Sequence, residues 1–409
     1  MTDAIVIIGG GHAAAQLCAG LAEAGQGGRT HLVCEERWLP YHRPPLSKAF
    51  LKGEDTEPQA HRAPAWYAEA GIHLHLGDAA VAIDRKAHTV QLHSGAVLPW
   101  RHLVLATGTR ARALPALAAP LANMAVLRAV PEALHLRARL AAAQRVVVLG
   151  GGFIGLEVAA TARAMGKEVT VLEAGPRLMA RAVSPALSEA VLDVHRAAGI
   201  DVRLGTQADR FEITDDRVVA VEVAGESLPL DLLLIAVGAT PETTLAEAAG
   251  LECADGVVVD EFMQTSDPAV LAVGDCTRFH ERRAASALRL ESVQNANDQA
   301  RTAVATLLGA PRPHDALAWF WSDQGGLRLQ MAGLVPAPAT PGLVTVRRPG
   351  PNPAAFSLLH YVGGQLVCVE SVNAPVDHMM SRKLLEARRS PAPDVAADPA
   401  VPLKNHLAG

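Results

Sequence analysis

Two stretches of the chain share one arrangement of apolar and polar positions. Ile5-Val6-Ile7-Ile8 is an unbroken apolar run ended by Gly9-Gly10-Gly11, and Val146-Val147-Val148-Leu149 is a second run ended by Gly150-Gly151-Gly152. Runs this short, without the alternation of a half-exposed strand, predict parallel strands buried on both faces, and each is followed by an alanine-rich helical stretch. The echo continues downstream: "AGIHLHLG" from Ala70 matches "AGIDVRLG" from Ala198, and "LVLATGTR" from Leu103 matches "LLIAVGAT" from Leu233. The pattern predicts two copies of one strand–turn–helix domain. The first copy is longer between its glycine turn and Ala70, and the extra length includes Pro40 to Lys52 with its "PYHRPPLSK". An insertion confined to one copy is a candidate for chemistry that the other lacks.

Beyond the second copy, Val257 to Val259 and Ala269 to Cys276 read as short strands, and Glu291 to Leu308 as a helix. Pro311 and Pro313 mark a linker. From His314 the pattern changes to separated strands with proline-rich turns. Strands at Ala355 to Tyr361 and Gln365 to Ser371 flank Gly363-Gly364, a hairpin signal, and a helix over His378 to Arg389 ends the fold before an Ala/Pro-rich tail. This region predicts a separate mixed domain.

A chain of 409 residues exceeds one ordinary core and divides into two or three domains. Half of it is apolar, but no run approaches the roughly 20 residues of a membrane helix, so no membrane role is expected. Strand and glycine turn begin directly after Asp3, without a basic leader, so the cytoplasm is the expected location. The net charge of -5 and the lack of a dense basic run argue against a nucleic-acid binder. Cys18, Cys34, Cys253, Cys276 and Cys368 are scattered, without the spacing of a redox pair, a zinc site or an iron–sulfur ligand set. They read as structural thiols, and no metal is expected.

Gly9-x-Gly11-x-x-Ala14 and Gly150-x-Gly152-x-x-Gly155 both lie between strand and helix, where the fingerprint has physical meaning. The first glycine permits the tight turn, the second admits a pyrophosphate to the backbone, and the third position lets helix pack on strand. Helix N-terminal amides then face the anion. Glu35 and Glu173 each stand at the end of the next strand, placed for ribose hydroxyls. A carboxylate there repels a ribose phosphate, so Glu173 favours NADH over NADPH, although Arg177 and Arg181 could neutralise such a phosphate.

With "LVLATGTRARALP", "GGGFIGLEVAATA" and "TSDPAVLAVGDC" added in this order, the chain resembles the FAD-dependent pyridine-nucleotide reductases. "PPLSK" and "WFWSDQ" make it similar, within them, to the ferredoxin reductases of oxygenase systems, over essentially the whole chain. The resemblance implies an α/β fold of two Rossmann-like dinucleotide-binding domains, of glutathione-reductase type, plus a C-terminal α+β domain. The division expected is 1–107 and 237–312 for FAD, 108–236 for NAD, and 313–409 for the third domain. The implied activity is hydride transfer from NADH to FAD, then single electrons to a [2Fe–2S] ferredoxin feeding a monooxygenase or an aromatic-ring dioxygenase. A monomer or weak homodimer is expected.

The same resemblance places Gly9, Gly11, His12 and Ala13 along the FAD pyrophosphate, Glu35 on the adenosine ribose, Val81 near the adenine, Arg128 reaching the cofactor and Asp275 on the ribityl chain. Arg43, Ala106 and Val293 complete the FAD set, and Gly152, Ile154, Gly155, Glu173, Arg181 and Gly238 form the NAD set. Lys48, on a backbone stiffened by Pro44 and Pro45, is implied to lie near the flavin's reactive nitrogen and to pair with Glu157. A poorly solvated ammonium needs such a counter-charge. Trp321 is implied at the other edge of the flavin, while Trp319 and Phe320 read as core.

Plainer readings prevail elsewhere. His73 and His75 form an H-x-H that reads as solvated rather than metal-binding, and His12 reads as a backbone-level contact. Arg282, Arg283, Arg289, Arg301, Arg382, Lys383, Arg388 and Arg389 are either solvated helix faces or a patch that steers an acidic ferredoxin; Arg301 and Lys404 match partner-binding positions of the family. A disulfide reductase or an NADH peroxidase requires cysteine beside the flavin, and Pro40 to Lys52 has none. Rubredoxin reductase and a non-turnover NADH-sensing flavoprotein remain as alternatives.

Overall fold

The structure, a computed structural model, describes residues 3–117 and 121–407. It contains two compact units. The first comprises Met1–Arg43, Glu57–Arg110 and Ala239–Ala316; the second comprises Pro44–Thr56, Ala111–Gly238 and Leu317–Gly409.

In the first unit, five parallel strands lie in the order Val270–Ala272, His102–Leu105, Ile5–Ile8, Thr30–Cys34, His73–Leu76. In the second, the order is Met124–Ala125, Leu232–Ile235, Arg145–Leu149, Glu168–Glu173, Asp201–Leu204, again all parallel. Strands that echo one another in sequence occupy equivalent places, so the duplication is one of topology as well. Each sheet borrows its edge strand from a different direction, from downstream in the first unit and from upstream in the second.

The unbroken apolar runs have the burial expected of them. Val146 and Val148 enter one core with Leu232 and Leu234, while Val147 and Leu149 enter another with Leu233 and Ile235. Successive strand residues point to opposite faces, so only a sheet covered on both sides selects such a run. Each such side chain contributes about 1.5–3 kcal/mol by leaving water.

Each unit also carries a three-stranded antiparallel sheet that the apolar pattern does not signal: Ala80–Asp84, Thr89–Leu92 and Val97–Pro99 in the first, and Arg210–Thr214, Arg217–Val223 and Glu226–Pro229 in the second. The helix expected from Glu291 runs over Val293–Leu307, with Ser292 Oγ capping it by accepting from Asn295 N at 3.0 Å.

Residues 317–407 form a five-stranded antiparallel sheet whose hairpin Phe356–Val362/Gln365–Val372 turns at Gly363-Gly364. Its faces serve two cores: Leu329, Met331 and Leu358 face the helices of the second glycine domain, and Leu359 and Tyr361 face the helix Pro375–Glu386. That shared core is why the third region joins the second unit. The helix starts three residues before the expected His378, because Pro375 suits a first helical turn. The Ala/Pro-rich tail is anchored rather than trailing: the buried Arg348 donates to the carbonyls of Ala396 (3.0 Å), Asp398 (2.6 Å) and Val401 (3.1 Å), and Leu403 is buried.

Pro44–Thr56 packs with the second unit, although it lies within the segment expected to belong to the first domain. Leu51 enters the core of the second unit, and Thr161 Oγ1 donates to the Ser47 carbonyl at 2.8 Å.

Candidate functional site: two glycine cradles and a braced lysine

In the first unit the chain leaves the strand Ile5–Ile8 at Gly9, whose φ is +121° and whose added Cβ would lie 2.2 Å from the Ala106 carbonyl oxygen. Only glycine fits so tight a crossing. At Gly11 the reverse holds: a Cβ would meet nothing within 4 Å, and no side chain caps the helix His12–Glu23 that begins there. Its first amides are left to an external acceptor, with room for one against the backbone. Asp275 follows Gly274, which packs on Ala13. Gln299, which the sequence did not single out, fixes that turn from a fully buried position, its Oε1 accepting from Gly274 N at 2.7 Å and Thr277 Oγ1 at 3.0 Å. Val293 is the first residue of the helix that carries Gln299. These residues fit a dinucleotide pyrophosphate and an adjoining sugar-like chain.

Of the remaining first-unit candidates, Glu35 is exposed and 3.3 Å from Arg110, which also pairs with Glu242. Arg43 is held by Glu36 at 2.9 Å, and the Tyr41 hydroxyl donates to the same carboxylate at 2.7 Å. Val81 is 46% exposed on the strand Ala80–Asp84.

The second unit repeats the turn. Gly150 has φ +103° with a Cβ position 2.4 Å from the Ala236 carbonyl, and a Cβ at Gly152 would meet nothing within 4 Å. Gly155 is packed closely, an added Cβ there lying 2.4 Å from the Gly150 carbonyl oxygen, whereas the first copy accepts the buried Ala14 at this position. Ile154 is 45% exposed beside the open turn. Gly238 has φ +108°, and its missing Cβ would lie 3.4 Å from Arg181, so these two candidates are neighbours.

Strand register corrects the equivalence of the two acids. Ile8 pairs with Val33 and Leu149 with Leu172, so the counterpart of Glu173 is Cys34, and that of Glu35 is Ala174. Glu173 closes its strand with both carboxylate oxygens engaged, accepting from Gly151 N and Gly175 N at 2.6 Å each. Glu35 lies one residue past its strand. Arg177, offered by the sequence as a phosphate partner, donates instead to the carbonyls of Val183 (2.8 Å) and Ala180 (2.7 Å).

Also in the second unit, Lys48 Nζ lies 3.0 Å from Glu157 Oε1 and 3.5 Å from Asp323. Glu157 sits on the glycine-turn helix Phe153–Ala164 and is 6% exposed. Two hydroxyls brace it: Ser47 donates to Oε2 at 2.5 Å and Ser322 to Oε1 at 2.6 Å. Gln324 donates to Ser322 Oγ at 2.8 Å, and its own Oε1 lies 3.2 Å from His195 Nε2. Burial lowers the His195 pKa, so its ring is neutral at pH 7. "PPLSK" and "WFWSDQ" thus converge on one carboxylate. Charge-assisted hydrogen bonds of this kind are roughly twice as strong as neutral ones and hold both groups of an ion pair in place. Ser47, Ser322 and Gln324 are the residues that sequence reasoning missed, since spacing alone does not show convergence.

Phe320 packs edge-on against Phe153 at 4.9 Å and Trp319 lies against the Arg382 guanidinium at 4.3 Å, but both are only partly buried against their cores, and Trp321 is half-buried as well, its ring 5.7 Å from that of Trp319. Arg128 is half-buried just before the helix Val130–Ala142. All five cysteines are free, and burial raises the thiol pKa of Cys18, Cys34 and Cys276, as structural thiols require. Of the basic residues, Arg289 pairs with Glu291, Arg301 with Asp298 at 2.6 Å and Arg382 with Glu386 at 3.5 Å. His75 is not simply solvated, because its Nε2 lies 3.1 Å from His31 Nδ1. Among the described residues no helix is long and apolar enough to cross a membrane.

The pattern of the pyridine nucleotide-disulphide oxidoreductases matches residues 3–300, and that of the reductase C-terminal domain matches residues 319–407. The chain belongs to this family. It is therefore an oxidoreductase with the paired dinucleotide domains that use FAD and NAD(H), followed by the reductase C-terminal domain. Putidaredoxin reductase CamA of Pseudomonas putida is 39% identical over 99% of this chain and 97% of its own length. The ferredoxin–NAD(+) reductase component of the anthranilate 1,2-dioxygenase system of Burkholderia cepacia is 38% identical over 99% of each. The ferredoxin reductase for the CYP199A2 system of Rhodopseudomonas palustris superposes with a TM-score of 0.94 at 43% identity, covering all of both chains. In the covalent putidaredoxin reductase–putidaredoxin complex, the matching chain gives 0.93 at 39% identity, covering 99% of this chain and 98% of that one.

Proposed function

We propose that this reductase is an NADH-dependent ferredoxin reductase serving an oxygenase. When bound, FAD supplies the conversion of a two-electron hydride donor into single-electron deliveries. The protein's own work is to hold the two dinucleotides by the uncapped helix ends after Gly11 and Gly152, and to set the charge around the reacting ring. We assign that charge to Lys48, fixed by Glu157, and assign shielding to Trp321. Asp275 is assigned to the ribityl hydroxyls, with Glu35, Arg43, Val81, Ala106, Arg128 and Val293 as the rest of the FAD set. Ile154, Gly155, Glu173, Arg181 and Gly238 are assigned to NAD.

The observation that carries the reading is the combination of two glycine cradles with a lysine–glutamate pair in the segment where cysteine chemistry would require a thiol. The relatives' names support a ferredoxin as acceptor. The five free cysteines suit a reducing compartment, and we propose the cytoplasm. Steady-state NADH oxidation tests the acceptor. Turnover that is slow in air and rises at least about tenfold when a [2Fe–2S] ferredoxin is added supports the reading. Turnover that rises only with a rubredoxin, or with no acceptor protein, would replace it with the rubredoxin reductase or the sensor.

A further inference from the structure

Three histidines from separate segments of the first unit meet in one cluster. His12 is the first residue of the helix after Gly11, His42 precedes Arg43-Pro44-Pro45, and His61 follows the segment around Gln59. Their ring centroids lie 3.9 Å apart for His42 and His61, 4.7 Å for His12 and His61, and 5.9 Å for His12 and His42. One ligand nitrogen from each ring lies within 4.8 Å of the other two.

The backbone holds this arrangement independently of the rings. His42 N donates to the Gln59 carbonyl and His61 N to the Pro40 carbonyl, both at 2.9 Å, and Tyr41 and Ala60 form an antiparallel bridge between them. His12 is buried, and His61 Nε2 is buried without a hydrogen-bond partner. A buried ring nitrogen in that position is unfavourable unless something meets it.

We propose that His12, His42 and His61 form a binding site for a divalent transition-metal ion of the zinc class. Three imidazoles suit such an ion with water in the fourth position, and the cluster offers no carboxylate to favour magnesium or calcium. Tetrahedral zinc with bonds of about 2.0–2.1 Å holds nitrogens roughly 3.3 Å apart, and those of the cluster lie within 4.8 Å of one another before any ion is bound. The ion ties the Pro40–His42 and Gln59–His61 segments to the first turn of the helix that presents the pyrophosphate amides. The three positions are too scattered in sequence to form a ligand motif.

Isothermal titration of the FAD-loaded protein with Zn2+ in excess Mg2+ tests the site. The histidines at the sheet edge, His31, His73 and His75, serve as the control for adventitious surface binding. We expect one tight Zn2+ per chain, weakened at least about 100-fold in His61→Ala and in the near-isosteric His61→Gln, and changed less than about threefold in His75→Ala. Flavin content and circular dichroism of each variant establish that it is folded. Wild-type binding no tighter than that of both His61 variants, or loss in His75→Ala instead, would overturn the proposal.

Discussion

Lys48 Nζ stands 3.0 Å from Glu157 Oε1, and the carboxylate that holds it is buried and braced by Ser47 and Ser322. Removing one member of a buried, hydrogen-bonded pair does more harm than the pair contributes by existing, because the other members lose their partner. The ammonium itself is partly exposed, so the effect is expected on its position and charge more than on global stability.

Glu157→Gln keeps the shape of the site and removes the charge. We expect FAD to remain bound while its reduction by NADH slows at least about tenfold, about 1.4 kcal/mol in the barrier. Lys48→Ala should do the same, and Ser322→Ala should act in the same direction by a smaller factor. Anaerobic stopped-flow absorbance reads the rate, and wild-type traces from Glu157→Gln would remove the pair from the reaction.

Gly152→Ala and Gly150→Ala separate cradle from fold. A methyl at residue 152 meets no protein atom within 4 Å, so the melting temperature should hold while the KM for NADH rises at least about tenfold. A methyl at residue 150 lies 2.4 Å from the Ala236 carbonyl in a left-handed backbone, and should unfold the second unit or lower its stability by several kcal/mol. Equal thermal losses in both variants would show that the open space at Gly152 is not a ligand site.

Glu173→Ala removes the carboxylate and frees the amides of Gly151 and Gly175. With Arg181 beside Gly238, the ratio of kcat/KM for NADPH over NADH should rise at least about tenfold. An unchanged ratio would assign Glu173 to bracing the turn alone.

His378 supplies a pH dependence. It is buried beneath Trp319 and near Arg382, both ring nitrogens lack partners, and desolvation followed by Arg382 lowers its pKa from 6.5 to about 4. The unfolded chain therefore takes up this proton first. Its contribution is whole above about pH 6.5 and is lost as the pH falls towards 4. His378→Phe should narrow the stability difference between pH 7 and pH 4.5 by about 2 kcal/mol in denaturant titrations. An undiminished difference would place the acid sensitivity elsewhere.

The parts of the molecule legible in the sequence are those set locally. Gly9 and Gly150 are dictated by a backbone that only glycine adopts, and the apolar runs beside them by burial on both faces. The antiparallel sheets at Ala80–Pro99 and Arg210–Pro229 were not legible, because their outer strands are largely exposed and carry little alternation. The offset between Glu35 and Glu173 is a matter of strand register, which motif spacing does not fix. Ser322 reaches Glu157 from a distant segment, with Gln324 and then His195 behind it, and Arg348 anchors a tail that composition alone presents as loose.

The most direct measurement is a single anaerobic turnover. Protein carrying oxidised FAD is mixed with one equivalent of NADH and then with excess oxidised [2Fe–2S] ferredoxin, and the reduced ferredoxin is counted. Two ferredoxins reduced for each NADH consumed, with the flavin returned to its oxidised spectrum, is the predicted result. A bleached flavin that leaves the ferredoxin oxidised would contradict it.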